Sequence, residues 1–267
     1  MDTFIRSLFN SEWMFFLFTS IFLLLMAEIG FRAGWGRYRH TDARGKGIGN
    51  IDGAVLGLLS LLLGFTFAVA FGRYETRREL VVKEANAIGT TWLRTSMLPE
   101  QHRGPIRDLL RRYVDLRVHG HEDMENPGAF DRAMEENTRL QDELWARTET
   151  AAHEAPNPVT VLFVNSLNET FDLSSDRLAA GRTFIPGAVS VLLLVMAAVG
   201  CFTSNYGLGA FGRRSAQNAV LLPLLISFTI LVIFDFVHAR QGLIRLSIDP
   251  LIELQASMQK TPAHPSA

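Results

Sequence analysis

The chain has 267 residues, a formal net charge of -1, 48% apolar residues and 20% charged ones, totals that suit one or two domains. A single cysteine, Cys201, excludes an intramolecular disulfide. Nothing in this balance calls for a nucleic-acid partner, and the averages hide a strong segregation: the apolar residues gather in blocks, while most charges lie between Arg73 and Arg182.

A helix needs about 20 mostly apolar residues to cross a hydrocarbon core. The first block, Trp13 to Ile29, is apolar but for Thr19, Ser20 and a late Glu28. It reads as a retained span and not a signal peptide, because Glu28-Ile29-Gly30 offers no small-x-small cleavage site. A basic loop with Arg32, Arg37, Arg39, Arg44 and Lys46 follows. The second span, Gly53 to Gly72, carries no charge. It runs without proline or loop into Arg73, Glu75, Arg77, Arg78 and Glu79. Beyond them Val81, Ala85, Ile88, Trp92 and Thr95 form one stripe of a helix, and Pro99 stops it.

Pro105 suits the first position of a new helix, whose apolar face is Ile106, Leu109, Leu110, Tyr113 and Leu116. Asn126-Pro127-Gly128 breaks it. A further helix runs from Phe130 to about Ala152, with Phe130, Met134, Leu144 and Trp145 as its apolar side. After Pro156-Asn157-Pro158, the residues Val164, Leu167, Phe171 and Leu178 mark a helix leading to the third span, Phe184 to Asn205. Ser215 to Phe234 is the fourth. The expectation is an all-α membrane protein: four transmembrane helices with a helical extramembrane layer between the second and third. Its divisions are residues 1–72, 73–183, 184–235 and a tail at 236–267. The positive charges are too evenly spread to set the orientation.

The second span holds Gly53, Gly57, Ser60, Gly64 and Ala68 on one face. Two readings fit. Small residues let membrane helices pack closely; alternatively the face lines an oligomeric pore, with Phe67 and Phe71 narrowing it, and such constrictions gate by dewetting. Arg73, Arg77 and Arg78 then serve either as anchors to lipid phosphates or as an anion-attracting vestibule. Asp172 and Asp176 would meet those arginines if the last helix of the layer returns antiparallel to the second span. Glu28 and Asp52 suit structural roles at span ends, and Asp235 stays open between structure and function. His119, His121, Glu122 and Asp123 are the only cluster of ligand types, in a polar loop, and no metal or cofactor is expected from them. Phosphate-cradling glycine loops, nucleophile elbows and catalytic carboxylate pairs are missing, so an enzyme is not expected.

Several stretches carry a family resemblance. Gly64 to Phe67 reads Gly-Phe-Thr-Phe, followed by Arg77-Arg78 and then by Val81 to Thr90 with Glu84 in its fourth position. Together with Leu109 to Arg117, Ser166 to Leu173 and Gln241 to Gln255, these resemble the bestrophin-like domain family of four-span bacterial membrane proteins. One departure follows the fourth span, where Val237 and Ala239 replace the usual second acid and proline. Through its likeness to bestrophins the resemblance implies an oligomeric, anion-selective channel of the inner membrane, pentameric by analogy. The second helix would line the pore, with Glu84 among the boundary charges. The competing expectation is a non-conducting scaffold or signalling subunit that recruits a partner through its helical layer.

Overall fold

A computed structural model describes residues 12–40, 49–120, 127–182, 186–237, 244 and 246–260. The readings made of Arg44, Lys46, His121, Glu122, Asp123, Asn126, Phe184, Ala239 and Gln241 lie outside those residues. In chain order the elements are α1 (Glu12–His40), α2 (Gly49–Arg94), a 3-10 turn (Thr95–Met97), α3 (Glu100–His119), α4 (Pro127–Glu154) and α5 (Pro158–Arg182). Then come α6 (Gly187–Ala210), a π-helical turn (Gln217–Leu221), α7 (Leu222–Val237) and α8 (Asp249–Lys260). No strand occurs among the described residues. Four segments are long and apolar enough to span a membrane: Trp13–Arg37, Ile51–Met97, Gly187–Ala210 and Gln217–Val237. The all-α membrane architecture expected from the sequence is the one observed, and α2 is a single helix of 46 residues.

The chain divides into two compact units, one of Met1–Glu75 with Phe184–Arg245 and one of Thr76–Thr183 with Leu246–Ala267. In the first, which holds the apolar spans, Leu23 and Ala27 of α1, Leu59 of α2, Ala197 and Cys201 of α6, and Ile226 and Ile230 of α7 form one buried cluster. Close packing in this unit belongs to α1 and α6. A Cβ on Gly30 would overlap the Phe202 carbonyl, one on Gly34 the Tyr206 carbonyl, and one on Gly209 the Phe31 carbonyl. Three glycines thus let two backbones touch, the usual adhesive of membrane helices. Beyond Ala210, the helix ends on Gly212 at φ 68°, in the left-handed region that glycine enters without strain. There the amide of Arg213 donates to the Leu208 carbonyl at 3.0 Å, closing the C-terminal turn.

In the second unit the stripe expected on α2 is buried in full: Val81, Ala85, Ile88, Trp92 and Thr95. It packs with Ile106, Leu110 and Tyr113 of α3, Leu140 and Leu144 of α4, Phe163 and Leu167 of α5, and Leu251 of α8. The return of α5 alongside α2 is antiparallel. Arg94 Nη1 donates to the Leu162 carbonyl at 2.7 Å, Thr91 and Thr170 share a hydroxyl hydrogen bond at 3.0 Å, and Arg77 Nε donates to the Ala180 carbonyl at 3.2 Å.

Three local expectations are corrected. Pro105 lies inside α3 and does not start it, because Pro99, extended at ψ 142°, already takes the N-cap position. Proline there falls in the second turn and costs the helix a hydrogen bond to the carbonyl four residues back. On α4 the buried side is Asn137, Leu140, Leu144, Thr148 and Ala151, whereas Trp145 is 43% exposed. On α5 it is Thr160, Phe163, Ser166, Leu167, Thr170 and Ser174, with small hydroxyls filling positions that an apolar count passes over.

Candidate pore face and buried charge cluster

Within the first unit α2 buries one side only. Leu59, Thr66 and Ala70 face its neighbours, and the Thr66 hydroxyl is satisfied by the Leu62 carbonyl at 2.7 Å. On the opposite side Gly53, Gly57, Gly64 and Gly72 each stand where an added Cβ would meet nothing within 4 Å. Ser60 and Ala68 are exposed on that side as well, and Ser60 Oγ turns back to the Leu56 carbonyl at 2.9 Å. Among the described residues no helix of the chain is seated on this stripe, and the close crossing in this unit is made by Gly30, Gly34 and Gly209.

Phe67 and Phe71 lie on the flank of this open face. Their rings stack at 6.4 Å, and Phe236 of α7 meets both edge-on at 5.6 Å. Tyr74 meets Phe236 at 5.5 Å. Each such aromatic pair is worth about 0.5–1.5 kcal/mol beyond area burial. The two phenylalanines remain 39% and 46% exposed. They are held from behind and open in front.

Span-end acids have identified partners. Glu28 accepts from Arg32 Nε and from Arg214 Nη2, both at 2.8 Å, and Asp52 accepts from the Thr203 hydroxyl at 3.3 Å. Asp235 is buried, and its Oδ2 accepts the amide of Ile244 at 2.9 Å, which ties the end of α7 to residue 244. Its other oxygen is buried without a hydrogen bond, as is Nη1 of Arg73.

The expected role of Asp172 and Asp176 is also corrected. Both are exposed, and Asp172 accepts from Asn168 of its own helix at 3.1 Å. Charge pairing between α2 and α5 has the opposite polarity. Glu84 of α2 is fully buried, with Arg177 of α5 at 2.6 Å and Arg117 of α3 at 2.7 Å. The Arg177 contact is an aligned hydrogen bond, while Arg117 Nε makes a charge contact outside hydrogen-bond alignment. Arg78, by contrast, is exposed.

One carboxylate between two guanidinium groups leaves a buried excess of positive charge. Burial opposes the charge on both arginines. For Arg117 the Glu84 carboxylate and the Tyr113 phenol outweigh it, and the pKa rises. For Arg177 burial wins, Arg117 adds repulsion, and the pKa falls. Burial also raises the phenol of Tyr113, which stands beside the cluster. Both arginines stay protonated, since a guanidinium does not lose its proton inside a protein. The cluster binds three helices by charge; among the described residues no group of His, Cys, Asp and Glu forms a metal-ligating set.

The bestrophin-like domain family matches residues 37–251. Among solved structures, point variants of a bacterial bestrophin homologue from Klebsiella pneumoniae share the fold. One has 15% identity and a TM-score of 0.66, covering 91% of this chain and 97% of that one. A second has 15% identity and a TM-score of 0.67, covering 92% and 99%. A variant of a protein described only as a membrane protein reaches a TM-score of 0.68 at 15% identity, covering 93% and 98%. No curated protein matches the chain.

Proposed function

The chain belongs to the bestrophin-like domain family, and we propose from that premise that it is a homo-oligomeric ion channel of the inner membrane, with α2 of each copy lining the pore. The observation that carries this reading is the open face of α2. A glycine inside a helix costs about 1 kcal/mol relative to alanine. Among the described residues Gly53, Gly57 and Gly64 recover none of that against neighbours in their own chain. Their missing side chains gain meaning only against something outside the chain: a second α2 across an axis, or the ions between them. Gly57, Ser60 and Gly64 would form the wide part of such a path, and Phe67 and Phe71, backed by Phe236, its apolar narrowing. Arg73, Arg77 and Arg78 follow at the end of the span and favour anions. Asp172 and Asp235 stand as boundary charges, and five copies is the number that analogy with bestrophins supplies.

Mass determination of the purified protein in nanodiscs comes first, and a monomer would sink the proposal. Given an oligomer, Gly64→Leu is expected to cut liposome anion flux at least about tenfold, a barrier increase of about 1.4 kcal/mol. Flux indifferent to leucine there removes α2 as the wall.

A second reading, a non-conducting scaffold, draws on the other unit. Leu93 is 71% exposed and Met97 46%, one turn apart on the surface of the helical layer, an apolar pair suited to a partner. An oligomer that passes no ions would favour it.

A further inference from the structure

Arg103, Arg107 and Arg111 follow one another at intervals of four residues along one face of α3. Each guanidinium is fixed by its inner nitrogen. Arg103 Nε donates to the Leu98 carbonyl at 2.7 Å, and Arg107 Nε to Thr95 Oγ1 at 2.8 Å. Arg111 Nε and Nη2 donate to the Met258 carbonyl of α8 at 3.4 and 3.5 Å. Buried Trp92 lies under the last two, with guanidinium carbons 5.1 Å (Arg107) and 4.9 Å (Arg111) from its ring centroid.

Countercharge is unevenly supplied along this row. Arg111 Nη1 has Asp108 Oδ1 at 2.9 Å. Glu154 is engaged by Gln101 and His102. Among the described residues no carboxylate forms an ion pair with Arg103 or Arg107. Both side chains are half-buried, so their outer nitrogens reach solvent while their inner ones are held. Burial, then repulsion from Arg111 and Arg103, lowers the pKa of Arg107, as expected where cations crowd without an anion. An ordinary solvated basic face has mobile side chains that spread apart. Here backbone carbonyls, a hydroxyl and an indole ring hold the cations together, so the ordering cost of a binding site is already met.

We propose that Arg103 and Arg107, flanked by Arg111, form a binding site for a phosphoryl oxyanion, free or carried on a lipid headgroup. Two planar forks one turn apart suit the oxygens of a phosphate or pyrophosphate, which each can contact through two N–H groups. The site stands independently of whether ions pass along α2.

The test is calorimetric titration of pyrophosphate into the full-length protein in phosphatidylcholine nanodiscs, with ionic strength held by chloride. Saturable binding is expected. Arg107→Lys, which keeps the charge and loses the fork, is expected to weaken it about tenfold. Arg103→Gln should weaken it similarly, and serves alone if the first variant fails to fold in chloride. Repeating the titration in nanodiscs containing phosphatidylglycerol separates the sources. Loss of the pyrophosphate heat assigns the site to a headgroup, and an unchanged heat assigns it to a soluble anion. Heats no larger than those of added chloride, or unchanged affinity in the folded variants, overturn the proposal.

Discussion

Glu84→Gln is expected to destabilise the helical unit by about 3–5 kcal/mol, the cost of breaking a buried ion pair by removing one partner. Glutamine keeps the shape and one hydrogen-bond acceptor but abolishes the only negative charge in the cluster. Arg117 and Arg177 would then face each other across a site in which Glu84 has no exposed surface and the arginine side chains are 9% and 11% exposed. Such groups cannot reach water without opening the contacts among α2, α3 and α5. Thermal unfolding in detergent, followed by far-ultraviolet circular dichroism, reads the effect as a lower midpoint for the helical unit. A second comparison separates charge from packing. Replacing Glu84, Arg117 and Arg177 together by leucine removes every buried charge and is expected to restore most of the lost stability. If the single variant melts with the wild type, Glu84 does not hold the three helices.

That cluster was only partly visible in the sequence. Glu84 stands out in the stretch from Val81 to Thr90, but among boundary charges it resembles Glu79, which pairs with Lys83 on the surface at 3.3 Å. What distinguishes Glu84 is register. It falls between Val81 and Ala85 on the buried stripe of α2. Arg117 continues the row Ile106, Leu110 and Tyr113, and Arg177 continues Phe163, Thr170 and Ser174. Three charged residues in core register, on three helices of one layer, are a signal of mutual pairing that period counting of apolar residues discards. Asp172 and Asp176 lie off that row and stay on the exposed side of α5.

The spans themselves were easier, because a charge-free run of hydrocarbon length has few other uses. Continuity of α2 followed from the lack of any proline or turn sequence between Gly49 and Arg94. The face that each helix buries was harder. Trp145 looked like core by its chemistry yet is exposed, while Thr148 and Ser174, unremarkable as letters, are 2% and 1% exposed. Short hydroxyl side chains can return their hydrogen bonds to their own helix, as Thr148 does to the Leu144 carbonyl at 2.7 Å. For Thr148 burial then leaves no donor stranded, and polarity ceases to mark the outside.

Glycine spacing carries the same ambiguity, and it leads to the second large effect. Gly30 and Gly34 are four residues apart on α1, as Gly53 and Gly57 are on α2. The sequence alone does not distinguish the pairs, because the difference lies in what faces them. Gly34→Ala is expected to cost about 3 kcal/mol or more, beyond ordinary overpacking, because the new methyl would overlap a main-chain carbonyl, that of Tyr206, and not a side chain that can turn away. Relief requires α1 and α6 to separate, which loosens the contacts of Gly30 and Gly209 together. Gly57→Ala has no such obstacle within the chain and is expected to change the stability of a single copy by less than about 1 kcal/mol, in the direction of helix propensity. Unfolding by titration of sodium dodecyl sulfate into mixed micelles measures both variants on one scale. A normal transition for Gly34→Ala would contradict the α1–α6 crossing. For Gly57→Ala, normal stability in dilute micelles combined with loss of the oligomer would place a second copy against α2. In that outcome the same substitution type, four residues from a matching glycine in each case, separates the helix face that builds the chain from the one that builds the assembly.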